Sequence, residues 1–185
     1  MITNETHEEF QDILIRSGHP VAIVGQMLRR EGYKVDVRPT KVATNIKAIE
    51  ESADQGDIHI LESPGPGRIP AGAIIEVKQL MAQKRIKGVD WHDLESWQFT
   101  GKTKNCKKVK RYMIDSVRNL NRKIVENRKP YGYIGVNAEM TAWAWIPMDL
   151  AWPNISVDDG FCQIRKKTND TYFVPADLVE FKPLY

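Results

Sequence analysis

Asp57, Glu76 and Lys78 are the residues of this chain whose types and spacing could do chemistry together. They lie in "GDIHILESPGPGRIPAGAIIEVKQL", residues 56–80, where two apolar runs, about 57–62 and 71–78, flank a turn rich in proline and glycine. This pattern predicts an antiparallel hairpin. With the pivot between Pro66 and Gly67, Asp57 faces Glu76 and Ile58 faces Ile75. Side chains alternate along a strand, so Lys78 shares the side of Glu76, while Ile58, Ile60, Ile75 and Val77 form an apolar side. Opposed carboxylates repel unless positive charge sits between them. A divalent cation, Mg²⁺ or Mn²⁺, would supply that charge, since Mg²⁺ prefers hard oxygen ligands and commonly takes one or two carboxylates with waters. Lys78 could then hold a water or steady charge on a reacting phosphate. The same three residues also suit a solvated surface hairpin in which Lys78 pairs with a carboxylate. A bulge in the loop would slip the register by one and turn a strand over.

The elements that must carry these residues follow from periodicity. "THEEFQDILIRS" has helical spacing through Phe10, Ile13 and Leu14, and Gly18-His19-Pro20 interrupts it. A second helix is expected over "PVAIVGQMLRREGY", with proline in its first turn and Gly32 at its end. "YKVDVRP" alternates as a short strand stopped by Pro39, and "TKVATNIKAIEESADQ" has the apolar spacing of another helix. Residues 79–128 read as mainly helical, broken near Gly88 and Gly101; "GYIGVNA", "AWAWIPM" and "TYFVPADLVEF" read as strands. Helices, central strands, helices and closing strands predict a mixed α/β fold.

At 185 residues, one domain spanning 1–185 is the expectation. The composition is that of an ordinary globular protein, and no apolar run approaches the ~18 residues a membrane helix needs. "MITNETHEEFQDIL" is acidic and polar, unlike a secretory signal. Cys106 and Cys162 have no metal-type spacing, which fits a reducing cytoplasm.

An acid on one strand followed by Glu-x-Lys on the next resembles the signature of the PD-(D/E)XK nuclease superfamily, here Asp57 and Glu76-Val77-Lys78. The resemblance implies a restriction-endonuclease-like αβββα core, a central mixed sheet flanked by helices, with "YKVDV" as its first strand. It implies that Asp57, Glu76 and the Val77 carbonyl bind Mg²⁺ or Mn²⁺, and that Lys78 orients or activates the attacking water. Gly56 stands where the family usually has proline, and Glu8, Glu9 or Glu31 could add an acid from a preceding helix. The implied activity is a metal-dependent DNA nuclease of phage or bacterial DNA processing, recombination or repair, with a homodimer as one assembly such relatives adopt. The alternative is a catalytically inactive, DNA-binding accessory protein on the same fold.

Charge is strongly partitioned. Between Lys102 and Lys129 lie eleven basic residues against two acids, Asp115 and Glu126, and the rest of the chain is acidic overall. Lys102, Lys104, Lys107, Lys108, Lys110, Arg111, Arg118 and Arg122 are candidates for nucleic-acid contact, because concentrated cations release counterions from a polyphosphate. None is a candidate for reading bases, so backbone contacts and strong salt sensitivity are expected. A solvated helix face is the other reading of such a run. His59 shares the face of Asp57 and could touch a metal or phosphate, or serve structurally. Ser96 and Gln98 read as loop residues, and Trp143, Trp145 and Trp152 read as packing against a sheet or partner.

Overall fold

The computed structural model describes residues 7–38, 56–79, 98–102, 108–162 and 167–183. It is a mixed α/β protein with multi-stranded sheet and a few helices. The chain divides into two compact units, residues 1–77 and 78–185.

In the first unit, helix α1 (His7–Arg30) leads into β1 (Lys34–Val37), β2 (Ile58–Glu62) and most of β3 (Ile74–Gln79), whose last two residues, Lys78 and Gln79, belong to the second unit. The interruption expected at Gly18-His19-Pro20 does not end the helix, and the two expected helices are one. Pro20 removes one helical hydrogen bond, yet it is buried beside a core-facing row of Val21, Val24, Met27 and Leu28. That burial carries the helix across the missing bond. Gly32 (φ +91°) then stops it: the Tyr33 N–H reaches the Leu28 carbonyl and the Gly32 N–H reaches that of Arg29, the Schellman pattern that left-handed glycine allows. The helix expected over residues 40–55 lies outside the described residues.

β1 pairs with β2 and β2 with β3, both antiparallel, with Ile58 opposite Ile75 and His59 opposite Ile74. This is the register expected from the hairpin arithmetic. Ile58, Ile60 and Ile75 are fully buried, so a one-residue slip would expose the whole apolar set. The Pro/Gly loop turns on Gly67 and Gly72, both at positive φ, and the Tyr33 hydroxyl accepts from the Ile69 N–H to pin it.

The second unit corrects the helical reading of residues 79–128. β4 (Gln98–Lys102) and β5 (Lys108–Ser116) are strands, and only α2 (Val117–Val125) is helical among the described residues there. "KVKRYMI" carries β-branched and aromatic residues that fit a pleated surface, a preference that its charge density masks. β6 (Gly132–Val136) and β7 (Ala142–Pro147) lie where expected, followed by the short helix α3 (Met148–Ala151). β8 (Ser156–Cys162), a strand not expected from the sequence, precedes β9 (Lys167–Pro175) and β10 (Glu180–Pro183). One antiparallel set runs β4-β5-β9-β8, another β6-β7-β10. Tyr112, Ile114, Leu120, Tyr133, Ile146 and Val174 form the core of this unit. Among the described residues no helix is long and apolar enough to cross a membrane.

Candidate active site

Asp57 sits just before β2, half-buried and fixed at two points. Its carbonyl accepts from the Arg38 N–H at 2.7 Å beyond the end of β1. Its Oδ2 accepts from the Val77 N–H at 2.7 Å, a charge-assisted bond of the short, strong kind. Backbone N–H and C=O of one strand residue point to the same edge, so the Val77 carbonyl lies on the edge that Asp57 caps. Glu76, next along β3, is 4% exposed. A carboxylate so buried requires compensating partners.

Gly56 explains the departure from proline. Its φ is +78°, out of reach for proline, whose ring fixes φ near −65°. A Cβ at this position would overlap the Ile74 side chain and stand 3.6 Å from Glu76 Oε1 and 3.7 Å from His59 Nε2. Glycine thus keeps side-chain bulk away from the Glu76 carboxylate, and His59 shares that side, as expected. The donor chemistry here, two carboxylates and a backbone carbonyl, is the hard-oxygen set that Mg²⁺ or Mn²⁺ accepts. Among the described residues no group of three or more His, Cys, Asp or Glu is arranged for a metal.

Lys78 introduces residues that the sequence alone does not single out. Its ammonium lies 3.6 Å from Asp115 Oδ2, and the Lys123 ammonium lies 3.5 Å from the same oxygen. The Tyr133 hydroxyl donates to it at 3.2 Å. The other oxygen, Oδ1, accepts from the Ser116 N–H at 2.8 Å and the Asn119 side-chain amide at 3.4 Å. Both ammoniums also stand 6.0 Å from the centre of the Tyr133 ring. Burial alone would push the Asp115 carboxyl up. The Lys78 and Lys123 charges, the Ser116 N–H and the Tyr133 hydroxyl outweigh it and hold the group below the usual carboxylate range. A cleft of about 70 Å³, lined by Lys78, Gln79, Tyr112 and Tyr133 among others, adjoins this cluster.

Local structure explains how an acid in a basic run comes to be buried. The β5–β9 register shifts between Met113 and Asp115, and such a bulge re-aims the side chain that follows it. Ser116 then caps α2, its hydroxyl accepting from the Asn119 N–H. Lys123 lies one turn beyond Leu120 on the buried side of that helix. The legible signals are the Ser116 cap and a lysine at apolar helical spacing.

The basic candidates separate. Arg111 is 5% exposed, its guanidinium 4.8 Å over the Phe173 ring and donating to the Ser156 hydroxyl at 3.2 Å. It holds β5, β9 and β8 together rather than facing solvent. It is a strand residue, not part of the helix expected across residues 79–128. Arg118 is exposed and Arg122 half-buried, one turn apart on α2. Lys102 lies in β4, Lys108 and Lys110 in β5; Lys104 and Lys107 lie outside the described residues. Glu8 and Glu9 fall in α1 and Glu31 is exposed in the turn after it. Gln98 begins β4 rather than lying in a loop, and Ser96 is outside the described residues. Trp143 is buried, Trp145 stacks near Tyr131, and Lys129 lies over the Trp152 ring. No family model, no curated protein and no solved structure matches this chain.

Proposed function

We propose that the protein is a metal-dependent DNA nuclease of the PD-(D/E)XK type, with Asp57, Glu76 and the Val77 carbonyl as metal ligands and Lys78 beside them on β3. The observation that carries the reading is the hairpin register. Ile58 pairs with Ile75, the count that, continued by one residue, would bring Asp57 beside Glu76, and the Asp57 carboxylate bonds the peptide N–H inside Glu76-Val77-Lys78. The α1, β1, β2, β3 order supports a restriction-endonuclease-like start to the fold. A bound Mg²⁺ or Mn²⁺ would supply Lewis acidity for attack on a phosphodiester. The chain's own part is to hold the two carboxylates in place, exclude bulk at Gly56, and present the Lys78 ammonium as a donor to water or to a phosphate oxygen. Arg118 and Arg122 would meet the phosphate backbone.

The test is nicking of supercoiled plasmid with Mg²⁺ or Mn²⁺ by the protein and by Glu76→Ala and Lys78→Ala. Nicking by the unaltered protein, absent in both variants, is the expected result. Cleavage that persists in Glu76→Ala removes the site assignment.

A second reading is a non-cleaving DNA-binding accessory protein on the same fold. It is favoured by the engagement of Lys78 with Asp115 and by the small number of metal-type ligands among the described residues. Retarded DNA without nicking, insensitive to both substitutions, would select it.

A further inference from the structure

Asp115 meets five donors: the Lys78 and Lys123 ammoniums, the Tyr133 hydroxyl, the Ser116 N–H and the Asn119 amide. We propose that it is a positioning residue that fixes the Lys78 ammonium at the wall of the adjoining cleft, with Lys123 as the sealed second cation of the arrangement. For what Lys78 does once fixed, the inference rests on the nuclease reading above.

Exposure is distributed unevenly across the cluster. The Asp115 and Lys123 side chains are 5% and 6% exposed, while that of Lys78 is 38% exposed. The Lys78 side chain therefore reaches solvent and the cleft, while the Asp115 carboxylate and the Lys123 side chain behind it are enclosed. A lysine side chain is long and flexible, and an unrestrained one samples many positions. A charge that must act on a reacting group is effective only when its position is set beforehand. The carboxylate supplies that restraint, and it is itself immobilised on both oxygens by groups from β5, α2 and β6. At 3.5–3.6 Å the two ammonium contacts are ion pairs rather than tight hydrogen bonds. A buried acid with two lysines is a weak way to stabilise a core. It is a direct way to place a charge.

The experiment has one arm independent of activity and one that depends on it. Lysine acetylation by an activated acetate ester, read by mass spectrometry, is compared at Lys78 in the unaltered protein and Asp115→Asn, with exposed Lys129 as internal reference. A several-fold faster reaction of Lys78 relative to Lys129 in the variant is expected; an unchanged ratio in folded variant overturns the proposal. Should Asp115→Asn fail to fold, NMR of the unaltered protein decides. The Lys78 side-chain resonances must shift together with acid titration of the Asp115 carboxyl, and flat Lys78 resonances through that titration overturn it. Where plasmid nicking is present, Asp115→Asn lowers kcat on the order of 10- to 100-fold with KM unchanged, and Asp115→Glu recovers part of it. A change confined to KM, or no recovery by Glu, contradicts a positioning role. Absence of nicking by the unaltered protein removes the nuclease reading alone, and the acetylation and titration arms still judge the Asp115–Lys78 restraint.

Discussion

Asp115 shows what a single residue can carry that its sequence surroundings conceal. Among eleven cations it reads as a minor offset to a basic run, yet it is the hub of a buried ion cluster because a bulge in β5 turns it inward. Its carboxyl is held below the ordinary value of 3.8 when folded, so the unfolded chain binds the proton first as pH falls. Its stabilising contribution is complete above the unfolded value and is lost as pH drops through the depressed folded one. The stability gap between the unaltered protein and Asp115→Asn, read from urea midpoints, should be widest above about pH 5 and narrow in more acidic solution. Asp115→Ala at neutral pH should cost about 3–5 kcal/mol, since it leaves two cations without their shared acid. Gly56 gives a second residue-scale prediction. Gly56→Ala should destabilise by about 1–3 kcal/mol, from positive φ and the overlap with Ile74, measurable in the same denaturation series.

At the scale of elements, the hairpin is legible because its two determinants are local: alternating apolar residues and a Pro/Gly turn. Residue-number arithmetic then sets Ile58 against Ile75, as the structure has it. Sequence reading fails where non-local effects decide. Pro20 argues for a break in α1, but burial along Val21, Val24 and Leu28 outweighs one missing hydrogen bond. Replacing it by alanine should raise stability by about 1–2 kcal/mol in urea unfolding, the recovered bond exceeding the forfeited ring packing. β5 reads as helix because Lys108, Lys110 and Arg111 make it look like part of a charged helical run, whereas its pairing to β4 and β9 rests on partners distant in sequence. The same misreading puts Arg111 on a helix surface. Packed over Phe173, it is instead a structural cation, and Arg111→Ala should lower stability by about 1–2 kcal/mol. Of the candidate site, the two acids and their strands can be read from sequence. Asp115, Lys123 and Tyr133 cannot, because a bulge, a helix cap and a buried lysine join them only after folding.

For the molecule as a whole, the charge partition predicts its behaviour toward DNA. On the proposed nuclease reading, exposed Arg118 and half-buried Arg122, one turn apart on α2, would meet the phosphate backbone. Changing both to alanine should weaken DNA binding at low salt and flatten the dependence of log K on log salt by about one unit for each phosphate no longer neutralised. Fluorescence anisotropy of a labelled duplex over a salt series measures this. The central claim is that Asp57 and Glu76 bind a divalent ion for phosphodiester hydrolysis, and it can be tested without DNA. Mn²⁺ titration of the protein, followed by the electron paramagnetic resonance signal of the free ion, should reveal binding that Asp57→Asn and Glu76→Gln each weaken at least severalfold while urea midpoints show both variants folded. Equal Mn²⁺ binding by the unaltered protein and both folded variants would contradict it.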